Sequence, residues 1–284
     1  MAGEQTYSGY VTVAAWVANE MSPYARAANI TEKLITAEDP DPGSNTKKFP
    51  KSGYLTAYII GEAAQGTKSA IADTSVTPTM QKVQVYVEPT VESEEFAGSS
   101  ASMQRLAEEA GKAAAAKFDT DVLALSAGFA NSSGTTNTTL TEAKLDTAIY
   151  KVRLANQIAQ INVALHPTQV RDARQAIIAS TATFFQGGAN QTLAQQAQRP
   201  ANGYAGKFLD ADVWESTNVP SANAGVDWLG MAFTRHAIAC VRRVGYKAMT
   251  ADDPEYTKRK LSLYGFYGLI EWNDTAGCGI VSKQ

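Results

Sequence analysis

The stretch Ile161-Asn162-Val163-Ala164-Leu165-His166-Pro167-Thr168-Gln169-Val170-Arg171-Asp172 changes character at one proline. Before it, Asn162 to Leu165 reads as a short buried strand. After it, Pro167 suits the first position of a helix, where its missing N–H would have no partner anyway. The spacing predicts a helix to about Ser180. A second telling stretch, Gly203-Tyr204-Ala205-Gly206-Lys207-Phe208-Leu209-Asp210-Ala211-Asp212-Val213-Trp214-Glu215-Ser216-Thr217-Asn218-Val219-Pro220, reads as a glycine-bounded strand around Leu209, Ala211 and Val213 that ends in a polar turn. Between them, Gly187-Gly188-Ala189-Asn190 and the glutamine-rich Gln191 to Gln198 read as a mobile insertion.

Working outward, Thr139-Leu140-Thr141-Glu142 has the form of a capping box opening a helix to about Asn156, with Leu145, Ile149 and Val152 inward. Further upstream, Met103, Leu106, Ala107, Ala110, Ala114, Phe118, Val122 and Leu125 recur every three to four residues. The pattern predicts a helix from Ser100 to Leu125, a rod about 40 Å long. The alanines in its stripe let a sheet or another helix approach closely.

The first forty residues are mixed, and the prolines of Glu38-Asp39-Pro40-Asp41-Pro42-Gly43 end them in a break. Next come Phe49-Pro50, a strand-like Tyr54 to Ile60, a polar stretch from Gly61 to Thr79, and a second strand, Val83 to Val87. This arrangement predicts an extended hairpin with little core of its own, which needs another surface to lie on. Beyond Pro220 the chain is strand-like over Trp228 to Val244 and Lys258 to Trp272, with a turn at Asn273-Asp274 and a last strand near Gly279 to Val281.

The 284 residues suffice for one large domain or two modest ones. A formal net charge of -3 gives no uniform positive field, which disfavours sequence-specific DNA binding. The apolar run Val11 to Ala18 is far short of the roughly 20 residues of a membrane span and lacks a basic lead-in, so a soluble chain without a secretion signal is expected. Two cysteines in so long a chain do not make a disulfide framework, and suggest synthesis in a reduced compartment.

Little in the sequence points to chemistry. His236 and Cys240 lie four apart, but no second pair at ligand spacing accompanies them. His166 could act as a base with Asp172 or Asp210, yet no nucleophile in an elbow context is present. The glycine pairs lack the lysine-serine or strand-helix context of a phosphate loop, and Glu92, Glu94 and Glu95 read as a helix-start acidic cluster. No catalytic, cofactor-binding or metal-ligating residue is assigned. Asp252 and Asp253, followed by Lys258 and Arg259, read either as a solvated turn or as complementary charges meeting across a subunit contact.

Taken in order, these features resemble the major capsid protein of tailed bacteriophages, the Hong Kong 97 fold. The resemblance implies an α+β subunit with an N-terminal arm over 1–45, an extended E-loop hairpin over 46–88, and a peripheral (P) domain with the long spine helix over 89–135. An axial (A) domain over 136–240, a P-domain β-hairpin over 241–274 and a C-terminal strand over 275–284 would follow. It further implies self-assembly into pentamers and hexamers of an icosahedral shell enclosing double-stranded DNA. Portal, scaffolding and decoration proteins would be partners, no membrane would be involved, and the site would be the virion capsid after synthesis in the host cytoplasm. Phe49, Tyr54 and Tyr58 in the hairpin, with the charged set Asp252, Asp253, Lys258 and Arg259, are the expected inter-subunit contacts. Arginines such as Arg242 and Arg243 would attract DNA only weakly. An encapsulin-like nanocompartment shares the fold, and a soluble α+β hydrolase or ligand-binding protein is the rival from another class.

Overall fold

The computed structural model describes residues 30–51, 74–88, 99–155, 159–179, 203–253 and 258–284. In chain order the strands are β1 (Thr36–Glu38), β2 (Phe49–Lys51), β3 (Thr74–Val76), β4 (Gln81–Val87), β5 (Asn131–Gly134), β6 (Ile161–Leu165), β7 (Tyr204–Phe208), β8 (Ala211–Glu215), β9 (Ser221–Ala222), β10 (Asp227–Thr234), β11 (Ile238–Asp253), β12 (Lys258–Glu271) and β13 (Gly277–Lys283). The helices are α1 (Ser99–Ala124), α2 (Glu142–Leu154) and α3 (Pro167–Ala179). A four-stranded sheet runs β1-β11-β12-β4, a larger one runs β5-β13-β10-β6-β8-β7 with β9 beside β10, and β2 pairs with β3 alone.

The strand expected over Trp228 to Val244 is two strands in different sheets. At Arg235 to Ala237 the chain turns, held by Ala237 N–H donating to Thr234 O at 2.9 Å, and passes from β10 into β11. The long hairpin of β11 and β12 pairs from Ile238 opposite Glu271 to Asp253 opposite Lys258, with register shifts between Arg242 and Val244 and between Val244 and Lys247. The strand expected around Leu209 also divides. Leu209 and Asp210 both take positive φ, 46° and 65°, as the two central residues of a tight hairpin turn between β7 and β8 must.

The long helix forms as the alanine spacing requires. Ala107, Ala110 and Ala114 are buried against Leu261 and Leu263 of β12, with Val85 of β4 beside them. Small side chains bring the helix close to the sheet, while Phe118 and Val122 further along join a second cluster with Tyr267, Met231 and Phe233. The larger sheet is covered on both faces: Ile161, Val163 and Leu165 of β6 pack with α2 and α3, and Ala164 packs on the α1 side. That double cover explains why β6 is buried at all five positions rather than at alternate ones.

Val83 to Val87 lies within β4, which pairs with β12, while β2 at the hairpin root pairs with β3. One expectation about local structure is corrected. The capping box at Thr139 to Glu142 is not formed, because α2 starts at Glu142 with Thr141 as its cap residue and without a side-chain capping bond. The expected strand Tyr54 to Ile60, the cluster Glu92 to Glu95 and the insertion Gly187 to Gln198 lie outside the described residues.

Candidate functional site

The hairpin expected to reach a neighbour is anchored by a small core on its own chain. Phe49 is 1% exposed. It packs with Ala239 and Val241 of β11, Ile270 of β12 and Trp272, and its ring lies 5.5 Å from that of Trp272. Trp272 Nε1–H donates to Pro50 O at 2.9 Å, and Met80 N–H donates to Asn45 O at 3.0 Å. Gly268 lets the two layers meet, since a Cβ there would stand 2.5 Å from Thr79 O. Phe49, expected to face a neighbour, therefore anchors the hairpin root within its own subunit. Tyr54 and Tyr58 lie outside the described residues.

The charged set lies at the far end of the β11–β12 hairpin. Asp252 stands opposite Arg259 and Asp253 opposite Lys258 in register. Lys258 also reaches Glu88 at the end of β4, with 3.7 Å between Nζ and the carboxylate. Acidic and basic residues thus occupy opposite register positions across one hairpin.

The root of the N-terminal segment is tied to α1 by a buried carboxylate. Asp119 Oδ1 accepts from Thr31 N–H at 3.1 Å and from the Thr31 hydroxyl at 2.7 Å, and Oδ2 accepts from Ile30 N–H at 3.3 Å. Burial raises the Asp119 pKa, and these donors partly oppose the rise. Glu32 pairs with Arg242. The Arg242 charge is therefore engaged within the chain, while Arg243 is exposed.

His166 proves to be a helix cap. Its Nδ1 accepts from Thr168 N–H at 3.3 Å and contacts the Thr168 hydroxyl at 2.9 Å, while its ring stacks on Trp228 at 3.7 Å between centroids. Three residues on, Gln169 Oε1 accepts from His166 N–H at 3.1 Å, which completes a reciprocal capping box. The fully buried Gln169 amide also donates to Ser282 Oγ at 2.8 Å and to Trp228 O at 3.2 Å. One side chain thereby joins α3 to β10 and β13. Burial lowers the His166 pKa, so the ring favours the neutral form whose Nδ1 can accept.

Neither cysteine has the environment of a reactive thiol. Burial pushes Cys240 up to about 12 and Cys278 up to about 11, and both are free. His236 meets Trp272 edge-on at 5.5 Å. Among the described residues no three of His, Cys, Asp or Glu are grouped to hold a metal ion. No helix among them is long and apolar enough to cross a membrane.

No protein-family model matches the sequence, and no curated protein does. Solved structures do resemble the fold. The capsid of the cyanophage P-SCSP1u matches with a TM-score of 0.63 at 16% identity, over 91% of this chain and 89% of that one. The capsid of Ralstonia phage GP4 matches with a TM-score of 0.67 at 11% identity, over 88% and 87%. A virus-like particle from Pyrococcus furiosus matches with a TM-score of 0.61 at 8% identity, over 94% and 98%. The chain has the mixed α+β fold of phage capsid structures, as the resemblance in its sequence implies.

Proposed function

We propose that this chain is a structural protein, the major capsid protein of a tailed bacteriophage, and that its work is self-assembly rather than catalysis. Pentamers and hexamers of it would close an icosahedral shell around double-stranded DNA in the virion, with portal, scaffolding and decoration proteins as partners and synthesis in the host cytoplasm. The observation that carries this reading is the likeness in fold to several phage capsids over about nine-tenths of the chain. In such a shell each contact is moderate, so wrong contacts dissociate, while many acting together hold the closed particle.

On this reading residues 1–45 are the arm, 46–88 the E-loop region, 89–135 and 241–274 the P domain, 136–240 the A domain and 275–284 the closing strand. The part of the E-loop proposed to meet a neighbour is the 52–73 segment between β2 and β3 in the chain, with Tyr54 and Tyr58 supplying apolar contact. Asp252, Asp253, Lys258 and Arg259 would meet a neighbouring subunit at the hairpin end. Replacing residues 53–72 with Gly-Ser-Gly-Ser keeps both anchored strands, whose ends pair at Lys51 and Thr74. The expected result is a folded subunit with an unchanged far-UV spectrum that makes no stable shells. Normal shells from that variant would refute the role given to the segment.

The likeness to the Pyrococcus furiosus virus-like particle favours a second reading, a protein compartment with other cargo. Nucleic acid inside purified particles, read from the ratio of absorbance at 260 and 280 nm, separates the two.

A further inference from the structure

Helix α2 carries two apolar stripes, and its fold uses only one. Leu145, Ala148, Ile149 and Val152 are buried in the core of the larger sheet. On the outer side Ala143, Thr147, Tyr150 and Leu154 recur at spacings of four, three and four, and all are exposed. Tyr150 is 59% exposed and Leu154 67%. The Thr147 hydroxyl donates back to Ala143 O at 2.7 Å, so its polar group is already taken up within the helix. A stripe with this spacing is the seam along which one helix packs on another.

The charges beside the stripe say which helix fits. Asp146 and Arg153 flank it on one side, seven residues apart and both exposed. Arg153 donates to Leu209 O at 2.6 Å, with Asp210 at 4.0 Å, and its guanidinium has further N–H groups to offer. On the other flank the lysines turn back to their own chain: Lys144 Nζ donates to Thr138 Oγ1 and Lys151 Nζ to Ser132 O, each at 2.6 Å. Laid antiparallel on a copy of itself, the stripe sets small residues against large ones, Ala143 on Leu154 and Thr147 on Tyr150, each twice. Asp146 then stands beside Arg153 of the copy, also twice. A parallel pair would set Leu154 on Leu154 and Asp146 beside Asp146.

We propose that α2 pairs antiparallel with α2 of a second copy about a twofold axis, as a contact between free subunits. The pairing is independent of the capsid reading and of the E-loop. With four seam residues on each side the interface is small, so the contact is weak and reversible.

The test is cysteine trapping in the full-length chain, with non-reducing electrophoresis as the readout and electron microscopy of the same preparations. Ala143→Cys and Leu154→Cys chains are purified reduced, then oxidised separately and as a mixture. Antiparallel pairing brings position 143 of one copy to position 154 of the other, and leaves like positions about 16 Å apart along the axis. A disulfide spans only about 4.4–6.8 Å between Cα atoms. The mixture should therefore give a crosslinked dimer and neither chain alone should. Cys240 and Cys278 are buried and should add no background. Asp146→Arg in both chains should lower the yield of dimer about tenfold, and Arg153→Asp added to Asp146→Arg should restore it. Crosslinking of each chain with itself, or equal yields with and without Asp146→Arg, overturns the antiparallel pairing. No dimer in the mixture, with an unchanged far-UV spectrum and normal particles in the images, overturns this inference and leaves the capsid reading standing. The mixed dimer from a chain that never forms particles supports the pairing and sinks the capsid reading instead.

Discussion

Replacing Phe49 by alanine should detach the hairpin while leaving the rest of the subunit folded. The ring is 1% exposed and fills the space between Ala239, Val241, Ile270 and Trp272. Removing a buried phenylalanine side chain costs about 3–5 kcal/mol, the transfer term plus a cavity. What remains at the root is a three-residue strand pair, a bridge between Thr46 and Thr79, the half-buried Val76 and Met80, the Trp272 Nε1–H to Pro50 O bond at 2.9 Å and the Met80 N–H to Asn45 O bond at 3.0 Å. Hydrogen bonds of this kind contribute about 0.5–1.5 kcal/mol each, too little to hold the root against that loss. The two large clusters around β6 and α1 do not include Phe49, so the loss is local. Hydrogen exchange should show lost protection at Lys51, Val76 and Met80 with protection retained at Val163 and Ala232, and particles should not form. Wild-type protection at the root, or normal shells, would refute the reasoning.

Other outcomes follow from the same structure. Gln169→Met should cost about 2–4 kcal/mol, because it leaves His166 N–H and Ser282 Oγ without their partner, and should appear as a lower urea midpoint at unchanged slope. Asp119→Ala removes the acceptor of Ile30 N–H, Thr31 N–H and the Thr31 hydroxyl; a loss of about 1–3 kcal/mol should speed tryptic cleavage after Lys33. Cys240 and Cys278, both buried with thiol pKa values raised to about 12 and 11, should resist iodoacetamide at pH 8 in the native chain and react once urea unfolds it.

The elements legible in the sequence are those whose signal is local. Pro167 marks the start of α3, and the alanine stripe from Ala107 to Ala114 gives α1 and its buried face. What the sequence hid depends on distant partners or atypical turns. The link from β10 to β11 passes through Arg235-His236-Ala237, which contains neither glycine nor proline to announce a turn. Leu209 adopts a positive φ that few leucines take, so the β7–β8 turn carries no glycine signal. The pairing of β4 with β12 leaves no local mark, because the partner stands some 180 positions away in the chain. Phe49 looks like a contact for a neighbour because Trp272, over 220 residues on, is what covers it. The cap at His166 was within reach, since a glutamine three residues after a helix start is half of a capping box. A histidine in the place of serine or threonine concealed it.

The central claim is that copies of this chain build a closed shell. Cryo-electron microscopy of the purified full-length protein tests it most directly: the account predicts closed particles, capsomers or tubes in which residues 52–73 of each subunit lie over the next. A monodisperse 30.3 kDa species at every concentration, with no ordered assembly in the images, would contradict it.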